Sequence, residues 1–499
     1  MIRSNNPETI RSYLSDASNI GGGYAEEVVF PVNEQEVAQT LDESSLSGAP
    51  VTVSGNGTGT VGARVPFGGI VLSTEKLGGL KTIVQSQGDN WHAVAGPAIT
   101  LKKLQDELSQ KGLLYPPDPT EPRAFLGASV ATNASGARNF KYGATRQWVR
   151  RLRVVLATGD ILELRRGECV AGNDGALFLK GKRNSYKIKL PTYTMPKGKH
   201  SAGYYATPGM SALDLFIGSE GTLGVITEIE IGLIVKPLEY YSGIVFFHRE
   251  ADAWQFAEQA KVLSLKNRAE GKKDELDACA LEYFDSHALM LLRSPYPHIP
   301  GRAQSAIFFE QDISPEARKK IEEEWLWLCR ENHVLINESW FGKSSEEHKE
   351  YRVFRHAIPA LVNGVVRRQK QRKIGTDFAV PGKRFLDLMN LYRSSMEGSG
   401  LRYCVFGHIA DNHLHLNILP ENNWEAERGW QLCHKLVTQV VAWGGTVAAE
   451  HGVGKLKKEY LLDLYGESGL NEMAMIKKKL DPAGILGRGS IFPDAFLQT

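Results

Sequence analysis

The chain has 499 residues, of which 42% are apolar and 23% charged, and its 59 basic and 57 acidic side chains leave a formal charge of +2. Such a length suits two or three domains of about 100–200 residues, and the composition excludes long disorder and a hold on nucleic acid built mainly on phosphate contacts. No segment approaches the roughly 20 apolar residues that span a bilayer, and Met1-Ile2-Arg3-Ser4-Asn5-Asn6-Pro7 has no apolar signal core, so a cytoplasmic protein is expected.

In chain order, short β-type runs come first: Val28-Val29-Phe30, Val51-Thr52-Val53, Ile70-Val71-Leu72, Ala93-Val94-Ala95 and Val154-Val155-Leu156. One helix is expected to start at Asn33, with Glu36 completing a capping box and Val37 and Leu41 on one face. A second starts at Thr100, with Leu101, Leu104 and Leu108 at helical spacing and Gly112 as its stop. Thr158-Gly159-Asp160 reads as a hairpin turn. Residues 180–200 carry seven Lys or Arg and no acid, which predicts an exposed basic loop, either merely solvated or docking an acidic electron-accepting partner. Thirty of the 50 glycines fall at or before Gly232, so the first half reads as a turn-rich sheet domain. After Pro237 the pattern becomes alternating: a strand at Val245-Phe246-Phe247, helices over 251–265, 314–332 and 425–443, and strands at Cys404-Val405-Phe406 and Leu414–Leu419. The five cysteines, 169, 279, 329, 404 and 433, contain no Cys-x-x-Cys pair, which argues against a disulfide framework, an iron–sulfur cluster or a cysteine zinc site.

Glycine-rich segments carry the first chemistry. Gly57-x-Gly59-x-x-Gly62 follows the strand 51–53 and raises a Rossmann dinucleotide site. That motif has to open a helix, and here Pro66 and Gly68-Gly69 follow, with the next strand too soon for a helical crossover. The loop can still cradle phosphate through its backbone N–H groups. A second segment runs Pro116-Pro117-Asp118-Pro119, Gly127-Ala128-Ser129-Val130-Ala131-Thr132-Asn133-Ala134-Ser135-Gly136 and Lys141-Tyr142-Gly143-Ala144-Thr145-Arg146; a third is Ile217-Gly218-Ser219-Glu220-Gly221-Thr222-Leu223-Gly224-Val225-Ile226-Thr227.

In this order the three segments resemble the FAD-binding domain of the vanillyl-alcohol oxidase, or p-cresol methylhydroxylase (PCMH), family. The family reads R-G-G-G-T-S/G, then P-P-x-P and G-G-x-V-A-T-N-A-G-G, then K-Y-G-x-T-R, then I-G-S-E-G-T-L-G-V-I-T. Ser54 and Asn56 stand where it has Arg and Gly, and Ala128 and Ser135 replace two further glycines. The resemblance implies an α+β, two-domain FAD-binding PCMH-type fold with a cap domain. Residues 1–236 would bind FAD, 237–450 would form the substrate cap, and 451–499 would return to the FAD domain. The implied FAD contacts are Ser54, Gly55, Asn56, Gly57, Thr58, Gly59, Pro117, Asp118, Gly127, Ser129, Thr132, Asn133, Ser135, Gly136, Lys141, Tyr142, Gly143, Glu220, Gly221, Gly224, Val225 and Ile226. No histidine lies in the first glycine loop, so the FAD would be non-covalent.

The second half holds Gly407-His408-Ile409-Ala410-Asp411-Asn412-His413-Leu414-His415-Leu416-Asn417 and Glu450-His451-Gly452-Val453-Gly454. Histidine with carboxylate suits Zn²⁺ or Mn²⁺ rather than Ca²⁺, although His413 and His415, alternating on one strand face, could equally just pack. These segments resemble the branch with D-lactate, D-2-hydroxyglutarate and glycolate dehydrogenases, which reads G-H-x-G-D-G-N-x-H-x-N and E-H-G-x-G. It implies a divalent metal, Zn²⁺ or Mn²⁺, on His408, His415 and Glu450, and His451 as the catalytic base. Ala410, Asn412 and His413 depart from the pattern, leaving open whether His413 joins the metal or reshapes the pocket.

The family's substrate arginine precedes D-x-x-x-P, and Tyr351-Arg352-Val353-Phe354-Arg355 with Asp377-Phe378-Ala379-Val380-Pro381 makes it Arg355. Lys373 is a further candidate, although some members carry their lysine two residues before the Asp, where this chain has Gly375; the run Arg367–Lys373 also reads as a solvated helix face. The expected reaction is oxidation of a small D-2-hydroxy acid to the 2-oxo acid, with electrons leaving to a quinone, a cytochrome, an electron-transfer flavoprotein or an iron–sulfur partner. A homodimer and a place peripheral to the inner membrane stay open. Two alternatives remain. One is a non-redox flavin transferase of the alkylglycerone-phosphate synthase type, whose members carry histidine where Glu450 stands. The other is a non-catalytic subunit of a glycolate-oxidase-like complex.

Overall fold

The structure is a computed structural model and describes residues 1–499 except 87, 89, 498 and 499. β-branched runs near the N-terminus pair into a four-stranded sheet. Ile2–Ser4 runs antiparallel to Glu27–Phe30, which lies parallel to Ile70–Ser73, itself parallel to Val51–Ser54. The helix Glu34–Ser47 crosses between Glu27–Phe30 and Val51–Ser54 and buries Val37 and Leu41 against Val29, Val51 and Leu72. By contrast, residues 55–69 join the parallel neighbours Val51–Ser54 and Ile70–Ser73 without a helix, so the Rossmann geometry is absent there. A six-stranded antiparallel sheet follows. The long strand Val225–Val235 is its axis, flanked by Trp91–Ala95 and Val149–Val155, with Leu80–Gln85 and Ile161–Arg165 outside them. Leu101, Leu104 and Leu108 of the helix Leu101–Ser109 enter its core.

One expectation needs correction here. Part of the basic stretch 180–200 is not loop: Ala176–Lys180 and Ser185–Lys189 pair as a hairpin, with Tyr186 and Ile188 turned into the core. The small-residue segment also supplies a helix, Leu126–Ala131, because Leu126 and Val130 are available to bury.

Residues 239–418 build a seven-stranded antiparallel sheet in the order Trp340–Phe341, Glu239–Phe247, Ser305–Ile313, Ala280–Asp285, Tyr403–His408, His413–Ile418, Ile374–Gly375. Side chains alternate between its faces. Val245 and Phe247 join one core, with Phe256, Trp325, Leu388 and Val437 from four covering helices. Ile244 and Phe246 join another, under Leu289 and the helix Ser345–Arg368. On the second face, register places Glu282 opposite His408, His408 opposite His413, and Phe406 opposite His415.

The chain then returns to the first sheets. The helix Lys458–Leu480, kinked at Gly466, buries Leu461, Leu470, Met473 and Ile476 with the six-stranded sheet. Val51 donates its N–H to the Ile485 carbonyl at 2.8 Å. The architecture is therefore α+β in two domains, with no helix among the described residues long and apolar enough to cross a membrane.

Candidate active site

Three glycine-rich segments line one groove. Gly55, Asn56, Gly57, Thr58 and Gly59 come from the first loop, Gly127, Ala128, Ala131 and Thr132 from the second, and Glu220, Gly221, Gly224 and Ile226 from the third. Backbone approaches closely: a Cβ on Gly127 would lie 2.4 Å from the Pro97 Cβ. Arg64 reaches the same groove and donates from Nη1 to the Gly55 carbonyl at 3.0 Å. Small side chains, exposed backbone N–H groups and one guanidinium suit a dinucleotide pyrophosphate.

A connected chamber is lined by Ser129, Thr132, Ser135 and Gly136 together with Glu450 and His451. Other expected contacts are engaged elsewhere. Ser54 is fully buried and hydrogen-bonds the Gly55 carbonyl. Val225 packs in the core beneath, and Asn133 accepts from the Arg146 N–H. Pro117 and Asp118 lie outside the groove's lining, with Asp118 taken by Arg352 at 3.0 Å. Lys141 is drawn to Asp277 at 2.8 Å and to Asp312, which carries Tyr142 and Gly143 toward the seven-stranded sheet rather than the groove.

The histidine cluster sits where the seven-stranded sheet faces this groove. His408, His413 and His415 share a face because His408 is the cross-strand partner of His413 and His415 is two residues along. Glu450 closes the cluster, its carboxylate 3.1 Å from His408 Nε2 and 3.3 Å from His415 Nε2. The ligand atoms of His408, His413, His415 and Glu450 all lie within 4.8 Å of one another. This nitrogen-and-oxygen donor set fits a divalent cation of the Zn²⁺ or Mn²⁺ type. The fit extends outward: His408 Nδ1 is 2.6 Å from Glu282 Oε1 and His415 Nδ1 is 2.9 Å from the Thr376 carbonyl, the outer contacts that orient metal-binding imidazoles. Both ring nitrogens of His413 are buried without a hydrogen-bond partner, Nε2 lying 3.1 Å from Asp377 Oδ1.

His451 is placed by two carboxylates. Asp377 accepts from the Glu450 N–H at 3.2 Å and the His451 N–H at 3.0 Å, and is paired with Lys457 at 2.6 Å. Glu220 accepts from the Val453 and Gly454 N–H groups at 2.7 and 2.8 Å, tying the turn after His451 to the third glycine segment. Gly454 has φ 53°, and a Cβ there would come within 2.2 Å of the Val61 carbonyl, so only glycine seats this turn on the first glycine loop. His451 Nε2 lies 3.5 Å from Glu450 and Nδ1 3.7 Å from Asp377. It borders the groove, the Ser129–Gly136 chamber and a third chamber with Lys373, His415, Trp430 and Tyr460.

Charge in the cluster is set by burial against neighbours. Burial pushes His451 down to about 4, outweighing Asp377 and Glu450, so the ring is an unprotonated base at neutral pH. Burial would raise Glu282, but Arg355 and His408 hold it near 2. Burial would lower His408, but Glu282 lifts it to about 9. Glu450 stays well below the usual carboxylate range, because Lys199 and His408 outweigh its burial.

Arg355, the residue expected to hold the substrate, has its Nε 3.5 Å from Glu282 and donates from Nη1 at 3.2 Å to Thr120 Oγ1, and Thr120 lines the chamber that Glu450 and His451 border. Lys373 lines the third chamber, lowered by burial, with no ion-pair or hydrogen-bond partner among the described residues. A Cβ at Gly375 would meet the Lys373 Cε at 3.5 Å, an ordinary contact, and the Asn417 Oδ1 more tightly at 3.2 Å.

Sequence reasoning missed Lys199, Glu282 and Lys457. Lys199 pairs with Glu450 at 2.6 Å and is 3% exposed, although its basic surroundings read as solvated. Glu282 left a signal, an acid alone in the apolar run Ala280-Leu281-Glu282-Tyr283-Phe284. Nothing local marked Lys457.

Family models match both halves of the chain. The family described as "FAD binding domain" matches residues 25–165, and "FAD linked oxidases, C-terminal domain" matches 249–491. The chain is 28% identical over 489 residues to "Glycolate oxidase subunit GlcD" of Bacillus subtilis, covering 96% of this chain and 92% of that protein. It is 26% identical to a D-lactate dehydrogenase of Anaerostipes hadrus, covering 94% and 90%, and 27% identical to one of Archaeoglobus fulgidus, covering 93% and 90%. Among solved structures, an alkyldihydroxyacetonephosphate synthase aligns with a TM-score of 0.66 at 14% identity, over 97% of this chain and 81% of that one. That likeness is one of fold.

Proposed function

The chain belongs to the PCMH-type FAD-linked oxidases, and from that premise we propose that it oxidises a D-2-hydroxy acid to the corresponding 2-oxo acid. The observation that carries the reading is the position of His451, an unprotonated imidazole bordering the glycine-lined groove and both chambers, 3.5 Å from Glu450. Bound FAD would supply the hydride acceptor, and a divalent cation on His408, His415 and Glu450 would supply Lewis acidity toward the substrate hydroxyl.

His451 takes the hydroxyl proton at Nε2, and Asp377 beside Nδ1 steadies the imidazolium that results. Four cations surround the cluster. Lys199 is spent on Glu450, Lys457 on Asp377, and Arg355 on Glu282 and Thr120. Lys373 alone of the four has no partner among the described residues, so it joins Arg355 as a group that receives the substrate carboxylate, with Arg355 also holding Glu282 and through it His408. A carboxylate fixed there makes transfer of the C2 hydrogen effectively unimolecular.

Support also comes from relatives named for glycolate and D-lactate. Residues 1–236, 237–450 and 451–499 are taken as FAD domain, cap and returning segment. The test is the anaerobic visible spectrum of the purified protein with a panel of D- and L-2-hydroxy acids. Bleaching of the flavin band by D-enantiomers alone is expected. A flavin spectrum that no acid changes would overturn the dehydrogenase reading in favour of a transferase or a silent subunit. His451→Ala should keep its flavin spectrum and lose about 10²–10⁴-fold in kcat, the usual contribution of a positioned base; full activity in that variant would remove His451 from the mechanism.

A further inference from the structure

Resting on the metal reading above, we propose that His413 is a fourth protein ligand to the same cation, making the donor set three imidazoles and one carboxylate. The argument begins with the sheet. A residue directly across from His408, two positions from His415 and on the same face, is carried to the same point by register alone. The ring centroids of His413 lie 5.3 Å from His408 and 4.4 Å from His415.

The outer contacts repeat a pattern. In each of the three histidines one ring nitrogen is beside a protein oxygen: His408 Nδ1 by Glu282, His415 Nδ1 by Thr376, and His413 Nε2 at 3.1 Å from Asp377 Oδ1. The second nitrogen of His408 and of His415 faces Glu450. Both ring nitrogens of His413 lack a hydrogen-bond partner although the side chain is wholly buried; Nε2 has the ion-pair contact with Asp377, which leaves Nδ1 as the nitrogen open to a cation. A buried acceptor left unpaired costs free energy unless something absent from the protein atoms satisfies it. One ring nitrogen of His413 lies within 4.8 Å of the ligand atoms of His408, His415 and Glu450.

Four protein donors would close a tetrahedral site, whereas a catalytic site needs an open position. The proposed set therefore selects a cation that accepts five or six ligands, as Mn²⁺ does with nitrogen and oxygen donors, and leaves room for the substrate's hydroxyl.

The experiment uses full-length, FAD-loaded wild type, His413→Asn and His415→Asn, each first checked for an unchanged flavin spectrum. Mn²⁺ affinity is measured by competition with a chromophoric chelator, and the imidazoles around bound Mn²⁺ are counted by X-ray absorption at the metal edge. Three imidazoles are expected in wild type and two in either variant, with affinity lowered at least about tenfold in both. Two imidazoles in both wild type and His413→Asn overturn the proposal whatever the affinities do, since an outer-shell role can weaken binding without changing the count. A wild type that binds no metal overturns the underlying metal reading instead, and His415→Asn separates the cases because its loss tests that reading alone.

Discussion

Glu220 makes a quantitative case at the scale of one residue. Burial raises its carboxyl from 4.5 to about 7, against two backbone N–H bonds and the pull of Lys457 and Lys455. The folded protein thus keeps a proton that the unfolded chain releases near 4.5. Glu220 favours folding fully below that pH, loses the advantage as pH climbs, and has none left above about 7. Glu220→Gln carries no charge at any pH. Relative to wild type it should gain stability as pH rises from about 5 to about 8, by up to about 3 kcal/mol. Urea unfolding of both proteins at the two pH values checks this, and a pH-independent difference would rule it out. Lys373 makes the kinetic counterpart. Lys373→Met should cost about 10–100-fold in kcat/KM, mostly through KM, the worth of a hydrogen bond to a charged group; steady-state kinetics with a D-2-hydroxy acid would show a loss confined to kcat if the assignment is wrong. These residues also mark what was readable. Glu220 and His451 stood in motifs. Lys199 stood in a basic run, and charge counting cannot see that one of its seven basic residues turns inward to Glu450.

Elements were legible where local signals agreed with burial. The helix Glu34–Ser47 begins where Asn33 and Glu36 said it would, and Asn33 Oδ1 accepts from the Glu36 N–H at 2.9 Å. The reciprocal bond differs from a capping box: Glu36 accepts from the Val32 N–H at 3.0 Å and pairs with the N-terminal ammonium. Removing the cap by Asn33→Ala should cost about 0.5–2 kcal/mol, checked by urea unfolding, and Asn33→Asp should restore most of it because aspartate also caps and favours a helix N-terminus. Two long helices escaped the sequence reading. Ser345–Arg368 contains Pro359, a residue that ordinarily ends a helix, because it supplies no N–H to the carbonyl four residues back at Arg355. Lys458–Leu480 contains Gly466 at φ 67°, ψ 177°, a break that interrupts its apolar period. In both, tertiary burial of Phe354, Ile358 and Val362, or of Leu470, Met473 and Ile476, overrides the local breaker.

At the scale of the whole molecule, charged residues on and around the second glycine segment hold the domains together. Lys141 spans to Asp277 and Asp312, Asp118 to Arg352, and Arg138, beside the second glycine segment, to Glu310 at 2.6 Å with both side chains almost fully buried. Arg138 also lies over the Tyr240 ring at 4.6 Å, and the Arg268 guanidinium donates to the Phe140 carbonyl at 2.7 Å. Sequence spacing could not separate these from groove residues, because the loop that carries Ser135 and Gly136 into the chamber carries Arg138 and Lys141 into the interface a few residues later. The interface matters for chemistry: Glu450 meets Ser135 at 3.2 Å and Lys199 at 2.6 Å, so the cluster is completed by residues from the first half of the chain. A buried ion pair need not stabilise, since desolvation offsets much of its attraction, but a lone survivor is costly. Arg138→Met should therefore destabilise by about 3–5 kcal/mol, leaving Glu310 buried without its nearest cation. Adding Glu310→Leu should recover at least half of that loss, because the pair is then replaced by apolar volume. Thermal and urea unfolding of the two single variants and the double variant test the argument as a cycle. Strictly additive losses would mean that the pair is not coupled, and that the domain contact rests instead on Lys141 with its two aspartates.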